Sequence, residues 1–127
     1  MDVKELRIGN WITEPNNEDK KPFQVWGLYH EEGNNKINNL PVFYFKPVPL
    51  TEDVLRKVGR LCNKKELYYL DEFNDACESY NVQVFDKSTI LNLSDEAEDC
   101  ECVEIKYVHE LQNLLYYHTK RELEIKF

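Results

Sequence analysis

"YVHELQNLLYYHTKRELEI", Tyr107 to Ile125, decides how this chain folds. At about 100° per residue, Tyr107, Val108, Leu111, Leu114, Leu115 and His118 fall within one arc, so the stretch predicts an amphipathic helix from Val108 to Thr119 with a core stripe on that side. Glu110, Gln112, Asn113 and Tyr117 point away from the stripe. The period then changes. In "LEIKF", Leu123, Ile125 and Phe127 alternate with charged residues, the pattern of a half-buried closing strand. A helix with one apolar stripe cannot bury it alone, so the preceding chain has to supply a sheet.

It supplies several strands. "CECVEIKY" (residues 100–107) alternates, with Val103, Ile105 and Tyr107 on one face and Cys102, Glu104 and Lys106 on the other. Val82 and Val84 in "YNVQVF" and Ile90 in "STILNLS" flank Asp86-Lys87, which predicts a two-stranded hairpin. "ELYYL", Glu66 to Leu70, reads as a further strand. Between them, "DEFNDACESY" spaces Phe73, Ala76, Cys77 and Tyr80 at helical intervals, and fits a two-turn helix or an acidic loop equally well.

Upstream, "LTEDVLRKVG" reads as a short helix. Thr51 is its N-cap, Glu52 and Asp53 occupy the first turn, Val54, Leu55 and Val58 form the stripe, and Gly59 suits a left-handed C′ position. The N-terminal third predicts a hairpin. Trp11 and Ile12 end one strand, "EPNNEDKKP" makes the exposed loop, and Phe23, Val25 and Trp26 enter the next strand. "EEGNNKINN" is a turn cluster around Gly33, and Val42 to Phe45 form a short strand closed by Pro47 and Pro49. The order β-β-β-α-β-β-β-β-α-β implies an α+β fold: a mostly antiparallel sheet with a short central helix and a C-terminal helix packed on it. No linker or repeat divides residues 1–127, so a single domain is expected.

Composition narrows the function. Hydrophobic residues make up 42% and aromatics 13%, enough for a real core, while the net charge is −8. A chain this acidic repels phosphate backbones, and its lysines and arginines occur as scattered pairs, so no direct nucleic-acid partner is expected. No run approaches the roughly 20 apolar residues of a membrane span. Cys62, Cys77, Cys100 and Cys102 have no CxxC spacing, no HxxxH occurs, and the acidic run Asp95 to Glu101 lacks the glycine pivot of a calcium loop, so neither metal nor cofactor is expected. There is no G-x-S-x-G and no Gly-rich phosphate loop among only four glycines, and no catalytic residue stands out. An enzyme is therefore not the expectation.

What remains is a second face of the terminal helix. His109, Asn113 and Tyr116 lie at i, i+4 and i+7, with Tyr117 beside them. Tyrosine combines apolar area with a hydroxyl, so an aromatic and polar face of this kind suits contact with a protein partner. Its alternative is a boundary face covered by other elements of the same domain.

Three segments resemble a family of small proteins from phages and integrated elements of Bacteroidetes: "ELRIGNW" (5–11), "PVPLTEDVLRKVG" (47–59) and "YVHELQNLLYYHTKREL" (107–123). Together they cover about a third of the chain. It departs from that pattern at Val54, where tryptophan is usual, and at Lys120, where glycine is frequent, which questions a left-handed helix cap there. The resemblance implies a phage or mobile-element product expressed in a bacterial cell, and carries over no catalytic residue. With no apolar run of signal-peptide length in "MDVKELRIGNW" and free thiols expected, the cytoplasm is the expected location. The expected function is a non-enzymatic accessory protein that binds a host or phage protein, perturbing a host defence or nucleic-acid machine. A virion structural or assembly component, and a small enzyme or ligand sensor with a pocket beside the terminal helix, are the alternatives.

Overall fold

The computed structural model describes residues 3–14, 21–31, 34–38, 40–41, 45–62, 66–74, 78–85, 88–94 and 100–127. The fold is α+β, with mostly antiparallel sheets and a C-terminal helix. Its packing falls into two compact units whose segments interleave along the chain. The first takes residues 1–49, 107–113 and 127, and the second 50–106 and 114–126.

In the first unit a 3-10 turn, Val3–Glu5, precedes six short strands: β1 (Trp11–Thr13), β2 (Phe23–Gln24), β3 (Leu28–Glu31), β4 (Asn34–Ile37), β5 (Leu40–Pro41) and β6 (Lys46–Pro47). They form two three-stranded sheets, β2-β1-β6 and β3-β4-β5. The expected hairpin is there: Ile12 pairs with Phe23 and Trp11 with Gln24. Leu6, Ile12, Val25, Ile37 and Phe45 make the core, with Phe23 and Leu28 packed against it. Strand β4 runs through the stretch read as a turn cluster, because Ile37 is fully buried and anchors the pairing. Asn38 then turns the chain at φ 50°, its side-chain oxygen accepting from the Trp26 and Gly27 amides at 2.8 and 3.0 Å. Pro47 sits on an edge strand, where its missing N–H costs no ladder bond. The expected strand at 42–45 lies outside the described residues except for Phe45, which is buried but unpaired.

The second unit opens with α1 (Glu52–Val58). Thr51 caps it as expected, accepting from the Val54 amide. Gly59 does not take the left-handed position; its φ is −141°. Space is tight there instead, since a Cβ would stand 3.1 Å from the Tyr69 carbonyl and 3.2 Å from Tyr68 Cβ. The chain enters β7 (Arg60–Cys62) directly, a strand that the sequence pattern does not announce.

Strands β8 (Leu67–Tyr69), β9 (Ser79–Val84), β10 (Thr89–Ser94) and β11 (Cys100–Ile105) complete an antiparallel sheet in the order β11-β10-β9-β8-β7. Its buried face is set by a cross-strand row, Tyr68-Val82-Leu91, each fully buried. Its other face carries Arg60, Tyr69, Asn81, Asn92 and Cys102 in register. There the Asn92 amide donates to Asn81 at 2.8 Å and the Cys102 thiol to Asn92 at 3.1 Å. Residues 71–73 form a turn rather than a helix, and Phe73 is 3% exposed under the guanidinium of Arg121.

Helix α2 (Val108–Thr119) has the expected bounds. Its burial does not follow the apolar arc. Val108, His109, Leu111, Gln112 and Leu115 are buried, whereas Tyr107 and Leu114 are only half-buried. At 100° per residue the buried arc is turned roughly 80° from the apolar one, toward His109. The tail that follows is not a strand. Leu123 and Ile125 alternate inward at 3% and 6% exposure, yet no described strand pairs with them. Side-chain alternation needs only an extended backbone, and pairing needs a partner edge. No helix among the described residues is long and apolar enough to cross a membrane.

The helix ends through Lys120 at φ 59°, its amide donating to the Tyr116 carbonyl at 2.8 Å. The left-handed cap is thus made by a lysine, which carries steric strain that glycine avoids. Lys120→Gly is expected to raise stability by about 1 kcal/mol. A denaturation midpoint that does not rise would show the strain to be relieved elsewhere.

Candidate functional site

Two of the four residues of the predicted contact face, Asn113 and His109, are engaged inside the fold. Asn113 belongs to an amide clamp on the "RIGN" loop. Gly9 turns that loop at φ 97°, and Asn10 is fully buried beneath it, its side-chain oxygen accepting from the Arg7 amide at 2.7 Å. The Asn113 amide group donates to the Glu5 carbonyl at 2.8 Å and exchanges bonds with Asn10, at 2.8 and 3.1 Å. Arg7 Nε adds a bond to Asn113 Oδ1 at 3.2 Å. Beside it Gln112 is 1% exposed, accepting from the Trp11 amide at 2.9 Å and donating to the Gly9 carbonyl at 3.1 Å. These amides bond backbone groups of the loop, and the Gly9 carbonyl accepts a further bond from Gln24 Nε2 at 3.0 Å, so they hold the loop rather than read a ligand.

His109 is 1% exposed. Its ring stacks on Tyr107, with centroids 5.7 Å apart and planes 9° apart. Among the described residues neither ring nitrogen has a hydrogen-bond partner, and the Glu5 carboxylate, at 3.6 Å from Nε2, is too far to supply one. Burial outweighs the favourable pull of Glu110 and Glu5 and holds the imidazole's pKa below its ordinary value, so the ring is neutral. His109 is therefore an interior residue and not part of an exposed face.

Tyr116 is half-buried, and Tyr117 is 70% exposed. Of the four predicted residues, Tyr117 is the one that stands exposed. The Tyr117 ring meets His118 edge-on at 5.2 Å, and Lys120 Nζ stands 5.4 Å from its centroid. His118, half-buried, forms one wall of a cleft of about 210 Å³. Tyr80, Leu93, Cys100 and the carboxylates of Glu78 and Glu101 line the rest, and the Tyr80 hydroxyl donates to Glu78 at 2.5 Å. Nothing in the sequence spacing links these residues; they come from three strands, the residue before β9, and a helix.

Cys100 and Cys102 do share one face of β11. Cys62 lies on the opposite edge of that sheet, four strand spacings away or roughly 19 Å, so it cannot join them. Cys77 is outside the described residues. Among the described residues no three histidine, cysteine or acidic side chains gather closely enough to hold a metal ion. No protein-family model, curated protein or solved structure matches this chain.

Proposed function

We propose that this chain is a non-enzymatic accessory protein of a phage or mobile element that works by binding a host or phage protein. The observation that carries the reading is the exposed end of α2. Tyr117, a large aromatic side chain, stands 70% open beside Lys120, a residue kept in a conformation that costs stability. Exposed aromatic residues flanked by charge are the usual anchors of protein interfaces. Strain retained at a surface position is consistent with a role in contact. The net charge of −8 favours a basic partner surface.

Affinity capture from a bacterial lysate, run in parallel with wild type and Tyr117→Ala, tests the reading. The expected result is a specific protein retained by wild type and reduced on the order of tenfold or more by the variant, with unchanged thermal stability. A partner held equally by both forms, or none at all, counts against it. Stoichiometric presence in purified phage particles would replace it with a virion role.

A further inference from the structure

Strand β11 is an edge, paired on one side only among the described residues, to β10 through six consecutive residue pairs without a bulge. It is the longest edge described. Strand β7 at the other end has three residues, and the edges of the two small sheets have two to four. Such an edge presents a row of backbone donors and acceptors to an added strand. Proteins commonly block long edges with proline, lysine or a bulge, and "CECVEI" has none of these. Its only charges are Glu101 and Glu104.

The acid-lined cleft opens at this same edge. Glu101 is on β11, Leu93 is its neighbour on β10, and Tyr80 follows on β9, with Glu78 and His118 completing the walls. In an added strand, the residue opposite Glu101 would stand on the cleft side of the sheet, with its Cβ about 5 Å away. A long cationic side chain at that position lies beside Glu101 with its methylenes over Leu93, and its charged end points into the acid-lined cleft toward Glu78.

We propose that β11 receives an extended basic segment of a protein partner as a sixth strand, with one lysine or arginine seated in the cleft. The proposal rests on the protein-binding reading above and names the chemistry of the partner. A second copy of this chain does not fit. Self-pairing would bring four carboxylates onto one short ladder between molecules that each carry −8.

The test titrates a short synthetic peptide of alternating lysine and threonine into the isotope-labelled full chain. Amide shifts and hydrogen exchange are followed residue by residue. The expected result is shifts and added protection along β11, binding that weakens with salt, and no binding by the same peptide with glutamate for lysine. Methylating alternate peptide nitrogens, which removes strand pairing and keeps the charge, should abolish the protection. Glu101→Gln combined with Glu78→Gln should weaken binding on the order of tenfold. Equal binding by the methylated peptide, or shifts confined to Tyr117 and its surroundings, would overturn strand addition and leave the protein-binding reading standing. Failure of that reading shows separately, as loss of a Tyr117-dependent partner in the lysate capture.

Discussion

Gln112→Ala is expected to destabilise the protein by about 2–4 kcal/mol. The side chain is 1% exposed, and both ends of its amide serve the backbone, one taking the Trp11 N–H and the other giving to the Gly9 carbonyl. Truncation leaves the Trp11 N–H without this partner, at about 1–3 kcal/mol, and the Gly9 carbonyl with Gln24 Nε2 alone at 3.0 Å, besides the lost packing. Native stability for a chain of this size is about 5–15 kcal/mol, so the variant should lose a large share of it. Gln112→Glu separates the contributions. It keeps the shape and the acceptor, but loses the donor to Gly9 and brings a carboxylate into a buried site, so it should be at least as damaging as alanine. Asn10→Ala should also be costly. The double variant should cost less than the sum, because Asn10 and Gln112 serve one loop and their side chains meet at 3.5 Å. Denaturant midpoints measure all four proteins. A loss below about 1 kcal/mol for Gln112→Ala would mean that water replaces the clamp without penalty.

The clamp also shows where sequence reading reaches its limit. Strand alternation in β9, β10 and β11, the Thr51 cap and the extent of α2 are local properties, set by side-chain period and by neighbours a few residues away, and they were legible. The orientation of α2 was not. Periodicity scores Gln112 and Asn113 as polar and turns them outward, yet they are held by Gly9, Asn10 and Glu5, which lie about a hundred positions earlier in the chain. A buried amide satisfied by a distant loop has no period. The joint occurrence of "RIGN" and "LQN" was the available signal, and its physical meaning is this hydrogen-bond set. Gly59 illustrates a second limit. A glycine after a helix fits a left-handed cap, but here Tyr68 and Tyr69 approach closely instead, which depends on a strand pairing formed downstream. The terminal "LEIKF" is a third, since alternation gives the inward direction of Leu123 and Ile125 without saying whether another strand lies alongside. Residues of the acidic cleft come from separate elements that only the sheet register brings together.

His109 carries the other large effect. An aromatic-sized ring removed from a site with 1% exposure leaves a cavity, so His109→Ala should cost about 2–4 kcal/mol. Tyr117→Ala, on the exposed end of the same helix, should change stability by less than about 0.5 kcal/mol. The pH dependence identifies the cause. The folded protein holds the imidazole neutral, with a pKa lowered from 6.5, while the unfolded chain protonates it near that ordinary value. Between the two values the unfolded state binds more protons, so stability rises with pH. This contribution is fully present above about pH 6.5 and is lost as pH falls below it, by up to about 1.4 kcal/mol per pH unit until the folded state is also protonated. Of the charged groups near the ring among the described residues, Glu110 and Glu5 oppose the effect. His109→Phe keeps the ring volume and its stack on Tyr107, and has nothing to protonate. Carboxylates titrate in both proteins, so the quantity to measure is the stability difference between wild type and His109→Phe across pH 7.5 to 5.5. Wild type should lose ground steadily on acidification. A constant difference would mean that the Glu5 carboxylate closes its 3.6 Å gap and pairs with the protonated ring, making acid neutral at this site.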